Sequence, residues 1–131
     1  MSDALKRYSD GWIAAGLAIA AFLLYGSTVA PSVLIADGGE FQFAAPLAGI
    51  AHPTGYPLYL SLGWIWTRLF PFGSPAFKMN LLSAFTGAIT IAILYLTIGR
   101  VVRLAGFTYS PSLNRGVAAI IACLVAVSHT Y

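Results

Sequence analysis

Two long stretches without a charged residue set the main constraint on how this chain can fold. Residues 11–36 and 79–99 contain no Asp, Glu, Lys or Arg. Each stretch is long enough to cross a hydrocarbon layer of ~30 Å as a helix. Charged residues make up only 8% of the chain, against about 25% in a typical soluble domain. The sequence therefore predicts an all-α membrane protein.

The first apolar stretch has two interpretations. A cleaved signal peptide would end near the small residues Thr28 and Ala30. That cut would put Pro31 at the first mature position, and the apolar stretch is longer than the 7–15 residues of a signal core. We therefore expect a tail over residues 1–10 and an uncleaved membrane helix over residues 11–30.

The second half of the chain predicts two further membrane helices, over residues 79–99 and from residue 116 onward. The last apolar run continues to Tyr131, which does not resemble a finished end. We therefore expect residues 1–131 to form the N-terminal part of one longer polytopic domain with about three membrane helices. Five basic residues fall on one side of this arrangement and only Arg68 and Lys78 on the other. The positive-inside rule then predicts a cytoplasmic N-terminus and a cytoplasmic loop over residues 100–115.

The segment 31–77 is predicted to be an extracytoplasmic loop. It is uncharged from Phe41 to Thr67, so a hidden membrane span is the alternative. Prolines interrupt it, and its uninterrupted part, residues 57–70, is short for a span. A span here would also weaken the charge asymmetry. We expect two short helices lying on the membrane, over about residues 38–48 and 57–70.

Asp37 and Glu40 are the candidate catalytic residues of this loop. Their spacing is also that of an acidic capping box at a helix start. A carboxylate at an apolar interface is costly to desolvate, and desolvation moves its pKa toward values useful to a general base. Both roles stay open from the spacing alone.

His52 opens the sequence His-Pro-Thr-Gly, which favours a type I turn with Gly55 at its fourth position. Pro57 suits the first turn of the following helix. His52 either bonds the backbone of this turn or donates to a phosphate or sugar oxygen. One histidine and two carboxylates could bind a metal, but no H-E-x-x-H spacing is present, so no metal is expected.

Basic and amide side chains at the end of the loop are further binding candidates. Arg68 shares a face with Ser61 and Trp64 on the predicted second helix. It either anchors an interfacial helix or pairs with a lipid phosphate. Lys78 and Asn80 open the next membrane helix and could contribute to the same site, although an interfacial anchor suits Lys78 better.

These loop motifs resemble a known family. Asp37-x-Gly39-Glu40-Phe41, His52-Pro53-x-Gly55-Tyr56-Pro57-Leu58 and Asn80-Leu81-Leu82-Ser83 are similar to segments of the transmembrane O-mannosyltransferase-like proteins, a branch of the GT-C glycosyltransferases. The resemblance covers about residues 29–102. Thr54 departs from the family pattern, which often has a second proline there.

The resemblance implies inverting transfer of a sugar such as mannose from a polyprenyl- or dolichyl-phosphate donor to a hydroxyl acceptor on a protein or glycan, without a cofactor. Asp37 matches the acceptor-activating carboxylate, with Glu40 beside it. His52, Gly55 and Tyr56 match the second motif, whose individual roles stay unassigned. A GT-C enzyme has many more membrane spans, so this piece alone is expected to be inactive.

Two non-enzymatic alternatives stay open. A transporter segment could use Asp37 and Glu40 to gate a polar pathway, although such carboxylates usually lie within a span. An assembly subunit would tolerate substitution of the loop motifs.

No basic stripe interleaves with exposed aromatics, so nucleic acid is not an expected partner. The expected partners are membrane lipid, the lipid-linked sugar and the acceptor, in a bacterial plasma membrane or a eukaryotic endoplasmic reticulum.

Overall fold

The computed structural model describes residues 3–106 and 110–128. Within these ranges the regular secondary structure is all helical and no strand is present. Five helices follow one another: α1 (Asp3–Thr28), α2 (Asp37–Ala44), α3 (Pro57–Leu69), α4 (Pro75–Leu104) and α5 (Pro111–Ser128). The all-α prediction is confirmed for this part of the chain.

The long helices extend beyond the uncharged stretches that predicted them. α1 begins before the predicted start at residue 11, and α4 runs beyond both ends of the predicted 79–99 helix. α5 begins at Pro111. The remainder of the predicted third span, residues 129–131, lies outside the described residues, as do residues 107–109 of the predicted cytoplasmic loop.

Two helices are long and apolar enough to cross a membrane. They are the part of α1 over Tyr8–Thr28 and the whole of α4. Only 11% of the apolar window of α1 and 28% of that of α4 are buried in the structure. A core helix of a soluble protein would be mostly buried, so this apolar surface favours a lipid or protein environment. α5 contains a shorter apolar helix over Ser112–Ser128.

The chain divides into two compact units, and the first combines most of α1, the later part of α4 and α5. Its core consists largely of alanines at helical spacing. Small side chains let helix backbones approach closely, which is how helices commonly pack in membranes. The buried residues are Ala14 and Ala21 of α1, Ala88, Ile91 and Tyr95 of α4, and Ala118, Ala122 and Ala126 of α5.

Asp10 joins the three helices of this first unit at one end. Its carboxylate accepts hydrogen bonds from Arg103 Nη1 at 3.2 Å and from Arg115 Nε at 2.7 Å. The Asp10 side chain is only 12% exposed, so its negative charge depends on these two partners. Asp10 therefore fixes α4 and α5 to the start of α1.

The second unit, residues 28–85, contains α2, α3 and the first turns of α4. Its core is formed by Ala44, Ala45, Ala51, Leu60, Met79 and Leu82. Gly63 lies where α3 packs most closely, since a Cβ there would stand 2.6 Å from Met79 Cε and 2.9 Å from Ala45 Cβ. The indole Nε1 of Trp66 donates to the Lys78 carbonyl at 2.9 Å and ties α3 to α4.

A buried amide pair organises the chain before α2. Gln42 Nε2 donates to Asn80 Oδ1, and Gln42 Oε1 accepts from the Leu34 amide at 2.8 Å. Asn80 Nδ2 in turn donates to the Ala30 carbonyl at 2.8 Å and the Ser32 carbonyl at 3.2 Å. Buried amides need such partners, so these two side chains fix the segment that leads into α2.

Candidate functional site

The carboxylates of the candidate site stand in the first turn of α2. Ala36 is the N-cap residue, and its carbonyl accepts from the amides of Gly39 at 3.0 Å and Glu40 at 3.3 Å. No side chain caps this helix. The capping-box interpretation of Asp37 and Glu40 is therefore wrong, because the helix begins one residue earlier than that motif requires. The Glu40 carboxylate has a different hydrogen-bond partner.

That partner is His52. One carboxylate oxygen of Glu40, Oε1, accepts from the His52 amide at 2.7 Å, and Oε2 lies 2.7 Å from His52 Nδ1. Both oxygens of Glu40 are therefore engaged by the same residue, twelve positions further along the chain. This double contact attaches the turn that begins at His52 to the start of α2.

The turn itself forms where the sequence predicts it. The Gly55 amide donates to the His52 carbonyl at 2.7 Å, and Gly55 has φ +81°, a conformation that glycine adopts without strain. Tyr56 follows as the N-cap of α3 with φ 44°, and α3 begins at Pro57. A short, closed turn thus leads directly into α3.

An aromatic cluster supports the imidazole. The Phe41 ring lies 6.0 Å from the His52 ring and makes edge contacts with Tyr56 at 4.9 Å and Tyr59 at 5.5 Å. The Tyr56 ring also meets the His52 ring edge-on at 5.5 Å. Phe41 is a site residue that charge and ligand chemistry did not single out, although its position directly after Glu40 in the first motif is a signal for it.

Asp37 differs from Glu40 in its surroundings. It is exposed, and its carboxylate makes no hydrogen bond to any residue that the structure describes. Asp37, Glu40 and His52 nevertheless offer ligand atoms that all lie within 4.8 Å of one another. The structure therefore brings together three of the predicted site residues, with Asp37 as the carboxylate that is available to a ligand.

The same three side chains have the ligand types of a divalent-cation site. A metal at the imidazole Nδ1 would have to replace its contact with Glu40, because a coordinating nitrogen cannot also carry the proton of that hydrogen bond. A metal bound at Nδ1 would therefore compete with the Glu40–His52 contact.

The electrostatics of the pair follow from this geometry. The hydrogen bonds from the His52 side chain and backbone lower the pKa of Glu40 below its ordinary value. The hydrogen bond to Glu40 raises the pKa of His52, opposed by desolvation and assisted by the charges of Glu40 and Asp37. The pair thus favours an ionised Glu40 and a protonated His52.

The predicted basic residues lie against carbonyl oxygens. Arg68 Nη1 donates to the carbonyls of Trp64 at 3.2 Å and Pro46 at 3.4 Å, and its guanidinium stands 3.9 Å from the Trp64 ring centroid. Lys78 Nζ donates to the Thr67 carbonyl at 3.0 Å, in the last turn of α3. These contacts place Arg68 and Lys78 around the C-terminal half of α3, and the predicted Asn80 lies in the buried amide pair.

An open groove of about 670 Å³ borders the turn. Most of its wall is apolar. The lining residues include Gly49, Thr54, Gly55, Ser61, Trp64 and Ile65. Gly55 is thus the predicted site residue that belongs to both the turn and the groove.

The described residues form a helical chain with two helices long and apolar enough to cross a membrane, and the Glu40–His52 pair lies between these helices in the sequence. The sequence pattern of the family described as "Protein O-mannosyl-transferase TMEM260 N-terminal domain" matches residues 37–131, so the chain belongs to this family. The match begins at Asp37 and confirms the resemblance.

Two curated relatives agree with this assignment. The mouse (Mus musculus) protein "Protein O-mannosyl-transferase TMEM260" is 45% identical over 64 residues, which are 49% of this chain and 9% of the relative. "Protein O-mannosyl-transferase tmem260" of Dictyostelium discoideum is 38% identical over 84 residues, 63% of this chain and 10% of the relative. The chain therefore spans about a tenth of the length of these relatives. No solved structure matches it significantly.

Proposed function

We propose that this chain contributes the catalytic loop of an inverting membrane glycosyltransferase of the GT-C type. The donor would be a polyprenyl- or dolichyl-phosphate sugar such as mannose, and the acceptor a hydroxyl group such as that of a protein Ser or Thr. The observation that carries this proposal is the available carboxylate of Asp37 beside the Glu40–His52 pair, in a chain whose curated relatives are named as O-mannosyltransferases.

Asp37 would act as the general base. Its carboxylate accepts the proton of the acceptor hydroxyl while the hydroxyl oxygen attacks the anomeric carbon of the sugar. The bond from that carbon to the phosphate oxygen breaks, and the lipid phosphate leaves with the electron pair. Attack from the face opposite the leaving group inverts the anomeric centre. A positioned base contributes typically about 10²–10⁴-fold to such a step, and this scheme requires no metal.

The substrates would meet at the turn and the groove beside it. Tyr56 and Gly55 are next to His52 in the chain, and the apolar wall of the groove suits the lipid-linked end of a donor. Arg68, Lys78 and Asn80 already donate hydrogen bonds to backbone carbonyl oxygens within this unit. We therefore propose that these three residues support the shape of the site.

The expected location follows from the proposed chemistry. Lipid-phosphate sugars reside in membranes, and the predicted topology places α2 and α3 outside the cytoplasm, with a cytoplasmic N-terminus. Their exposed leucines, such as Leu58 and Leu69, suit an interfacial position. The proposed site would then lie at the extracytoplasmic membrane surface.

The test is sugar transfer by the intact protein in proteoliposomes. A serine- and threonine-containing peptide is offered with β-linked polyprenyl-phosphate mannose, polyprenyl-phosphate glucose or a nucleotide-linked mannose. We expect an α-linked product from the lipid-phosphate mannose, with no loss of rate in a chelator. Transfer from the nucleotide sugar alone, retention of configuration, or no transfer would contradict the proposal.

A further inference from the structure

Glu40 and Asp37 share a helical turn, but their carboxylates differ in their hydrogen bonds. Both oxygens of Glu40 are engaged by His52, through the backbone amide and through Nδ1. The Asp37 carboxylate has no hydrogen-bond partner among the described residues. A carboxylate that already accepts two short hydrogen bonds is poorly placed to take a further proton from a substrate.

The contact with Glu40 also fixes the orientation of the His52 imidazole. With Nδ1 donating to Glu40, the ring is held in one orientation, as a second partner commonly holds a functional histidine. Nε2 makes no hydrogen bond within the part of the chain that the structure describes, and the His52 side chain is 37% exposed. The free nitrogen is therefore accessible to a ligand.

We infer that Glu40 is a positioning residue that holds His52 so that the imidazole Nε2 donates a hydrogen bond to a substrate oxygen bound beside Asp37. This assignment rests on the proposed function and divides the roles within it. Asp37 accepts the proton, His52 contacts the substrate, and Glu40 acts only through His52.

The charges of the group indicate which substrate oxygen this is. Glu40 neutralises an imidazolium at His52, and Asp37 adds a further negative charge within 4.8 Å. A group with this charge sum does not attract a phosphate. The ligand expected to accept the hydrogen bond from His52 Nε2 is therefore an uncharged oxygen of the sugar or of the acceptor hydroxyl.

One substitution of His52 separates the substrate contact from the turn. In His52→Asn, the amide nitrogen can stand near the position of Nδ1 and keep the bond to Glu40, but nothing replaces Nε2. We expect this variant of the intact protein to accumulate normally and to lose sugar transfer by about 10–100-fold, because one charge-assisted hydrogen bond to the substrate is lost. If His52 serves only the turn, His52→Asn transfers sugar like the unaltered protein, and the inference is overturned.

Combining substitutions tests whether Glu40 acts through His52. Glu40→Gln alone should lower transfer within the same range, and the double variant Glu40→Gln, His52→Asn should be no worse than His52→Asn, because the second change has nothing left to remove. Multiplied losses would show an independent role for Glu40 and contradict the assignment.

A measurement without substrate separates this inference from the proposed function. Diethyl pyrocarbonate modifies neutral imidazole, so the pH midpoint of His52 modification, followed by peptide mass spectrometry, reports its protonation. Glu40→Gln should move the midpoint to lower pH, since it removes the partner that favours the protonated ring. The charged and titratable groups facing this ring are Glu40 and Asp37 of α2 and Tyr56.

Asp10→Asn, which changes a carboxylate that binds Arg103 and Arg115 rather than His52, is the matched control and should leave the midpoint unchanged. An unmoved midpoint in Glu40→Gln would overturn the positioning role whether or not the protein transfers sugar. A moved midpoint together with no sugar transfer by the unaltered protein would retain the pair and reject the proposed enzyme.

Discussion

Two carboxylates three positions apart in this chain have separate surroundings. Glu40 binds the amide and the imidazole of His52 at 2.7 Å each. Asp37, at the first position of α2, is exposed. Both residues stand in the first turn of α2 near His52, but Glu40 hydrogen-bonds to it, whereas Asp37 lies within 4.8 Å without a hydrogen bond to it. The residue pattern alone could not separate these two roles.

The Glu40–His52 pair predicts a pH-dependent stability. Glu40 has a lowered pKa, so its contribution is present above the ordinary value of 4.5 and is lost as the pH falls through the folded value. His52 has a raised pKa, so its contribution is present below 6.5 and is lost as the pH rises through the folded value. The pair should therefore stabilise the protein most between these two ordinary values.

The measurement is the thermal midpoint of the intact protein and of Glu40→Gln across this range. The midpoints should differ most between pH 4.5 and 6.5 and approach each other on either side. A difference that stays constant from pH 4 to pH 9 would contradict an ionised pair and indicate a pH-independent contact.

At the scale of elements, α3 is held by one face and leaves the other exposed. Leu60, Gly63 and Thr67 are buried, at the three- and four-residue spacing of a helix face. Leu58 and Leu69 are 74% and 71% exposed. The sequence predicts an interfacial helix over residues 57–70 but not its packed face, because the role of Gly63 depends on Met79 and Ala45, which are distant in the sequence.

This packing makes Gly63 sensitive to any side chain. Gly63→Leu would place its Cβ within 2.9 Å of Ala45 Cβ and closer still to Met79. Overpacking of this kind costs about 1–3 kcal/mol or more, so we expect lower accumulation and a lower thermal midpoint. Gly11→Leu is the matched control, because a Cβ at Gly11 has no neighbour within 4 Å. Equal behaviour of the two variants would show that α3 does not pack as described.

A second prediction about helix packing concerns the contacts of Asp10. Asp10→Ala removes the carboxylate that binds Arg103 and Arg115. Loss of such a partly buried acceptor costs about 1–3 kcal/mol, so the thermal midpoint of the intact protein should fall. The double variant Asp10→Ala, Arg115→Leu should recover part of this loss, because it also removes one of the two positive charges that lose their carboxylate. No loss in the single variant would contradict a structural role for Asp10.

Across the whole molecule, patterns of charge and proline predicted the elements better than their ends. The uncharged stretches located α1 and α4, and Pro57 marked the start of α3. The predicted helix 38–48 begins at Asp37 and already ends at Ala44. Pro46 lacks the amide that would continue the backbone ladder. Contacts distant in sequence, such as Gln42 with Asn80 and Glu40 with His52, have no local signal and required the fold.

The proposed topology predicts a difference between two positions. A cysteine introduced at Gly73 should react with a membrane-impermeant thiol reagent added from outside, whereas one at Ser110 should react only after the membrane is permeabilised. A variant without the native Cys123 is the background for both. Equal labelling of the two positions, or the reverse order, would contradict an extracytoplasmic site.

The most direct test of Asp37 as the general base is sugar transfer by Asp37→Asn in the intact protein. No side-chain hydrogen bond of Asp37 caps α2, so the substitution should leave protein accumulation unchanged. Asn cannot take the acceptor proton, and transfer from the lipid-phosphate donor should fall by about 10²–10⁴-fold. Normal accumulation with this loss is the predicted result. Near-full transfer by Asp37→Asn would contradict the role of this carboxylate as the base.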